Sequence, residues 1–311
     1  MALWIIIAIL AQFINAIVAL VDRYIVASGK VGRPIILTFY VSLLSALGVV
    51  VFFFSWIPIP INSIVLPSFG NLSWPTFSLI LIGLLSSVSF ILALYYLFSS
   101  FKLSSASDVV PVISSVSAIS TLLFSFYILD STLTDNFLWG FCFLVLGTFL
   151  IARFRMTKQL LLFCLASGIF FGLHFVLMKL LFSMTVFDNA FFWSRILIAI
   201  SALFMLFLPD CCGRSVADNS KNTGKAGLFL VLFNKALAGL ASILALKAIE
   251  LGDVSIVQAM SGLQFVFLLI FSLFFGHKAP KCIGEHCQII DRIQKLVSVS
   301  IIVTGFSLLF I

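Results

Sequence analysis

Charge is scarce in this chain. Asp, Glu, Lys and Arg together make up 9% of its 311 residues, whereas 62% are hydrophobic and the mean hydropathy is +1.26. A water-soluble domain carries about a quarter charged residues to cover its surface, so soluble enzymes, disordered tails and nucleic-acid modules are excluded. Cysteines number six and are scattered, which excludes a disulfide framework. Cys142 and Cys164 fall in apolar segments, and Cys211, Cys212, Cys282 and Cys287 in two polar loops. No phosphate-cradling glycine loop, nucleotide motif or Ser-His-Asp arrangement occurs, so an ATP-driven pump or intramembrane hydrolase has no residues to run on. The chain is expected to be no enzyme and to need no cofactor. The loop 276–293 holds His277, Cys282, His286 and Cys287, but their spacing matches no zinc pattern, and no metal is expected.

Long apolar runs take the place of what is missing. A helix rises about 1.5 Å per residue, so an apolar layer about 30 Å thick is crossed by about 20 residues. Ten stretches qualify: 2–21, 35–56, 76–98, 108–128, 136–152, 159–181, 189–208, 226–248, 254–275 and 294–311. The first lacks a basic n-region and a small-residue cleavage site and is read as a retained helix rather than a signal peptide. No charge occurs between Arg33 and Lys102, but Pro58, Pro60, Pro67, Gly70 and Pro75 divide that run into two crossings. Trp56, Trp74 and Trp139 fall near the expected membrane edges, where amphipathic rings are favoured. The fold class expected is an all-α membrane protein of ten transmembrane helices.

The net charge of +7 reads as topology, not as an affinity for nucleic acid. Fourteen basic residues, among them Arg23, Lys102, Arg153, Lys225 and Lys278, fall in the loops after helices 1, 3, 5, 7 and 9; Lys179 and Lys247 alone flank the opposite loops. That bias assigns the fourteen to the cytoplasm of a cell-membrane protein and both termini to the other side.

The halves of the chain resemble each other. Asn15–Arg23 (NAIVALVDR) aligns with Phe171–Lys179 (FGLHFVLMK), 156 residues later; Ile91–Leu94 recurs as Ile243–Leu246; Leu103–Ser107 aligns with Leu251–Ser255. Five crossings per unit force the second copy to insert upside down, giving two inverted five-helix repeats over 1–155 and 156–311. The stretch Tyr95–Thr134, with small residues before Val109-Val110-Pro111, resembles the second half of an EamA domain, and Ala248–Lys278 is similar to the same passage in a second copy. The whole chain thereby resembles the EamA-like branch of the drug/metabolite transporter superfamily. The resemblance implies alternating access to a small-molecule site between the repeats. The chain departs from the family's frequent Gly-Glu pair after each fourth helix, reading Leu129-Asp130-Ser131 and Gly276-His277-Lys278. Its charge bias also reverses the orientation that the family implies, in which both termini are cytosolic.

All eleven acids fall at expected helix ends or in loops, and helix 1 offers only Gln12 and Asn15 at depth. Proton-for-cation exchange is therefore disfavoured. Two cations, in contrast, lie inside apolar segments. Lys235 is about nine residues into helix 8, near the expected midplane, and Arg195 about six residues into helix 7. A buried charge requires a partner or a water-filled cavity. One reading makes Lys235 and Arg195 an electropositive site for an anionic or zwitterionic metabolite. The other pairs Arg195 with Glu250, Asp253 or Asp188, and Lys235 with helix-end carbonyls or Asp22.

Asn234, Trp193, Gln264, His174 and Asn15 complete the candidate substrate-binding set. His174, as a lone intramembrane histidine, reads more readily as an interhelical hydrogen-bonder than as a ligand. Gly168-x-x-x-Gly172 suits close helix packing, and Ser114, Ser117, Thr121 and Ser125 form one polar face of helix 4. The function expected is secondary transport of a small organic metabolite, contacted by helices 1, 3, 4, 6, 8 and 9. Its partners would be that substrate and the lipid bilayer, and a homodimer is compatible with the pattern. A flippase for a lipid-linked anion and a non-transporting scaffold or receptor are the alternatives. The flippase requires a side opening towards lipid, and the scaffold a filled interior.

Overall fold

The computed structural model describes residues 3–27, 33–54, 67–104, 106–130, 135–151, 157–207 and 225–275, with short helical pieces at 297–298, 300–302 and 304–305. The polar loop 276–293 and the Cys211-Cys212 pair, considered above as metal ligands, lie outside the described residues.

A segment surrounded by hydrocarbon must satisfy its backbone hydrogen bonds internally, which favours helices for every apolar run. The helices are α1 (Leu3–Ala27), α2 (Pro34–Leu44), α3 (Phe77–Leu103), α4 (Ala106–Leu129), α5 (Asp135–Ile151), α6 (Lys158–Met184), α7 (Phe187–Phe204), α8 (Lys225–Leu251), α9 (Val254–Ala259) and α10 (Gly262–Phe275). Among the described residues there is no strand, and seven helices are long and apolar enough to cross a membrane. The chain is an all-α, multi-pass membrane protein.

Local chemistry sets several boundaries. Pro34 opens α2, where its missing N–H leaves no bond unmade. Thr76 and Thr157 accept hydrogen bonds from the backbone N–H groups of Leu79 and Leu160, capping α3 and α6. Asp253 accepts from Ser255 and Ile256, so α9 restarts only three residues after α8 stops. Asp130 closes α4 at φ 48°, a left-handed conformation that glycine usually takes at such a site.

Three elements depart from the sequence expectation. First, α1 runs on to Ala27 instead of stopping near residue 21, which brings Asp22 and Arg23 inside the helix. Second, α2 tightens at Ser45 into a 3-10 helix, Ser45–Phe54, where a continuous α-helix was expected. Third, the stretch 254–275 breaks at Met260–Ser261 into α9 and α10. No proline marks the second or third change, so neither was legible as a break.

The tightest packing is between α6 and both α3 and α4, and between α1 and α8. Gly168 and Gly172 bring α6 against α4. A Cβ on Gly168 would lie 2.7 Å from the Val116 side chain, and one on Gly172 2.7 Å from Ser120 Cβ. At the α1–α8 contact the Trp4 ring lies over Gly252, where a Cβ would approach it to 2.7 Å. Two cations also cap helix ends. Lys179 Nζ of α6 donates to the carbonyls of Ile249, Glu250 and Gly252 at the end of α8, at 2.8, 3.1 and 2.8 Å. Arg23 Nη1 of α1 donates to Phe101 O near the end of α3.

Candidate functional site: two adjoining cavities around Lys235

The small-residue stripe of α8 decides where space is left. Ala238, Ser242 and Ala245 follow Lys235 at helical spacing, and they face a cavity of about 240 Å³ instead of a neighbouring helix. The cavity is walled by α1, α3, α4, α6, α8 and the broken α9–α10 pair, with Val41 from α2. A second cavity of about 410 Å³ lies between the 3-10 segment 45–54, α7 and α8. The two share Val41, Phe90, Lys235, Ala238 and Ser242, so Lys235 stands where they meet.

Lys235 is not unaccompanied. Its Nζ donates to Asp22 Oδ1, and Asn234 Nδ2 donates to the same oxygen at 2.8 Å. The ammonium also lies 5.3 Å from the centroid of the Phe98 ring. This corrects the expectation that every acid falls at a helix end or in a loop. Asp22 is buried within α1, five residues before its end. The charge ended the apolar run in the sequence, but a helix continues through a charge whose partner is already in place across the interface. Lys235 is ten residues from the start of α8 and three from its centre. Seventeen residues, about 26 Å of helix, separate Lys235 from Gly252, where α8 meets the start of α1.

Arg195 is the reverse case. Its side chain is buried, its guanidinium carbon lies 4.9 Å over the Phe191 ring, and it lines the larger cavity. Neither Nε nor Nη2 has a hydrogen-bond partner among the described residues. The acids expected as its partners are engaged elsewhere. Asp188 accepts from Ser68 N–H and Asn71, Glu250 pairs with Lys247, and Asp253 caps α9.

The remaining candidates divide. Asn15, Gln264 and His174 line the smaller cavity. Gln264 Nε2 donates to Asn15 O at 3.1 Å, and His174 Nδ1 lies 2.8 Å from Ser86 Oγ, so that ring is both hydrogen-bonded and cavity-facing. Asn234 touches neither cavity and acts on Asp22. Trp193 is not brought to the site. Its Nε1 donates to Ser73 O at 2.9 Å and its ring lies 6.4 Å from Trp74, in the connection before α3.

Gln258, which the sequence offers with Gln264 as a cavity-lining residue of the ninth stretch, lines the smaller cavity; its pairing and two wall phenylalanines had no clear sequence signal. Gln258 Nε2 bonds Ser117 Oγ at 2.9 Å, joining the α9 break to the polar face of α4. Phe90 and Phe98 wall the cavities but cannot be distinguished by sequence from the other 34 phenylalanines.

Among the described residues, Asp22 offsets Lys235, and Arg195 leaves one uncompensated positive charge at the larger cavity. Such a chamber can hold a guest with a carboxylate or phosphate against Arg195. Fold and site thus define a multi-pass helical membrane protein with a charged, helix-lined interior. No family model matches the chain, and no curated protein matches it. A solved structure described as "Crystal structure of protein" has a TM-score of 0.63 to it over 98% of this chain and 96% of its own, at 15% sequence identity. The likeness establishes the fold alone.

Proposed function

We propose that the chain is a secondary transporter of the EamA-like kind, carrying a small organic anion or zwitterion by alternating access. The observation that carries this reading is Arg195, buried at a cavity wall with two guanidinium nitrogens unpartnered among the described residues. Leaving such groups unmade in an apolar interior is unfavourable by several kcal/mol, on the order of 1–3 per group, and a ligand oxyanion towards which the guanidinium turns would remove that cost. A scaffold would be expected to fill the space beside Lys235. The cavities there favour transport.

The inverted-repeat reading gains support from paired contacts. The segment containing Arg23 aligns with that containing Lys179, and each cation caps the third helix of its own half, Phe101 O in one and Ile249 O in the other, 148 residues apart. The turns that follow also correspond. Ser104 N–H donates to Ser100 O, and Gly252 N–H to Ala248 O, again offset by 148. In this reading 1–155 and 156–311 each supply five crossings, ten in all, and rock about a site between them. The basic-residue bias places both termini outside the cytoplasm of the cell membrane.

The test is reconstitution in liposomes with a panel of labelled organic anions and zwitterions, screened first for thermal stabilisation of the purified protein. Arg195→Gln and Lys235→Gln should each weaken stabilisation by the true substrate at least tenfold and depress its uptake. Full uptake by Arg195→Gln would sink the proposal.

A further inference from the structure

The larger cavity is not closed towards the outside of the bundle. Leu47 and Val50 of the 3-10 segment and Leu232 and Leu240 of α8 line it, yet these residues are 59%, 44%, 45% and 48% exposed. A residue that is at once a cavity wall and an outer surface stands at a mouth. Both bordering segments belong to helices apolar and long enough to cross a membrane, Pro34–Phe53 and Leu232–Leu251, so the mouth faces hydrocarbon. Gly239 sits in it. A Cβ there would meet nothing within 4 Å, whereas the other helical glycines packed at helix contacts, such as Gly172, would clash. Arg195 also lines this cavity, buried and with two nitrogens unpartnered among the described residues.

A small hydrophilic anion gains nothing from such an entrance, whose walls offer no hydrogen bonds. A guest with an apolar chain does, because the chain can stay in contact with Leu47, Val50 and Leu240 while the head reaches Arg195. Each methylene kept out of water stabilises that arrangement by about 0.8 kcal/mol. The bordering segment is a ten-residue 3-10 helix. Its hydrogen bonds are poorer than those of an α-helix, and runs beyond three or four residues are uncommon and mark hinges, which suits a side wall that yields to a chain.

We propose that the guest of the Arg195 site is a single-chain amphiphilic anion drawn from the bilayer. Its carboxylate or phosphate head rests on Arg195, and its acyl- or prenyl-type chain passes between the 3-10 segment 45–54 and α8. This rests on the anion-site reading above and narrows its substrate class.

The experiment uses the full chain in lipid nanodiscs, with butyl phosphate and dodecyl phosphate as probes and dodecanol as the chain-only control. Thermal stabilisation is read against probe concentration. Dodecyl phosphate should half-saturate at a concentration at least tenfold below butyl phosphate, and dodecanol should not stabilise. Arg195→Gln should abolish the response to both phosphates. Gly239→Phe, which fills the mouth, should remove the advantage of the long chain and leave butyl phosphate binding in place, which also reports that the variant is folded. Should it not fold, Leu240→Trp at the rim takes its role. If butyl phosphate binds through Arg195 but chain length adds nothing, or survives the filled mouth as an advantage, the lateral entry is wrong and the anion site stands. If neither phosphate binds through Arg195, both fall together.

Discussion

Asp22 and Lys235 form an ion pair across the α1–α8 interface, from helices 213 residues apart in the chain, with side chains only 7% and 6% exposed. Removing two charges from water is expensive and their mutual attraction offsets it only with good geometry and further hydrogen bonds. Asn234 supplies one such bond to the same carboxylate oxygen. The pair holds the end of α1 to α8 at the boundary between the two cavities.

Breaking that pair from one side leaves the other charge buried alone. Asp22→Asn or Lys235→Met should each destabilise the protein by about 3–5 kcal/mol, and Asp22→Leu with Lys235→Met together by much less. Chemical or thermal unfolding in detergent measures this. Equal losses in single and double variants would show that the two do not interact.

Arg195 should behave in the opposite way. Replacing it with Met removes a buried group whose hydrogen bonds are unmade, so the empty protein should gain about 1–3 kcal/mol of stability. The same variant should lose its stabilisation by anions. A fall in melting temperature for Arg195→Met would mean that the guanidinium is already satisfied.

Two glycines of α6 and α8 make a paired control for packing. Gly172→Leu forces α6 from α4, since even a Cβ lies 2.7 Å from Ser120 Cβ and 2.9 Å from Thr121 N, and should be destabilising by about 1–3 kcal/mol or more. Gly239→Ala meets open space and should be neutral or stabilising by up to about 1 kcal/mol through helix propensity. Melting temperatures of the two variants decide it.

Lys179 bonds three carbonyls at the end of α8, and Lys179→Met should lose about 1–3 kcal/mol by leaving them unpaired. The α8–α9 turn should then exchange its amide hydrogens faster, which hydrogen-exchange mass spectrometry of Leu251–Val257 reads out. Unchanged exchange would remove the cap from the account.

Orientation has its own test. With native cysteines replaced, Ser73→Cys in the exposed connection before α3 should label with an impermeant maleimide in intact cells. Leu103→Cys, at the other end of α3, should label only after permeabilisation. The reverse pattern would place both termini in the cytoplasm.

Much of the helical frame was legible because hydrophobic runs of membrane length leave few alternatives to a helix. The ends of α3, α6 and α8 fall within a few residues of the apolar stretches that predicted them. Gly168 and Gly172 were legible as a packing face, since two small residues four apart lie on one side of a helix, and α4 does rest there. Asp22 was misplaced for a definite reason. Hydropathy stops at a charge, but helix hydrogen bonding does not, and α1 runs on past a carboxylate that pairs with a lysine in another helix. The 3-10 segment and the break at Met260–Ser261 carried no proline to announce them. Trp193 looked like a site residue because it adjoins Ser194 and Arg195, yet neighbours in a helix point about 100° apart and its ring turns away to Ser73.

Composition alone determined that this chain lives in lipid as helices, because 62% apolar residues with 9% charge cannot be covered by water. It also marked Lys235 and Arg195 as the cations at depth. Which of them would be neutralised was beyond it. That depended on helix rotation and on how far α1 extends, both set by contacts between distant segments. Only the packed bundle gave Lys235 its carboxylate, set Arg195 in a cavity wall without a carboxylate among the described residues, and opened that cavity between α8 and the segment 45–54.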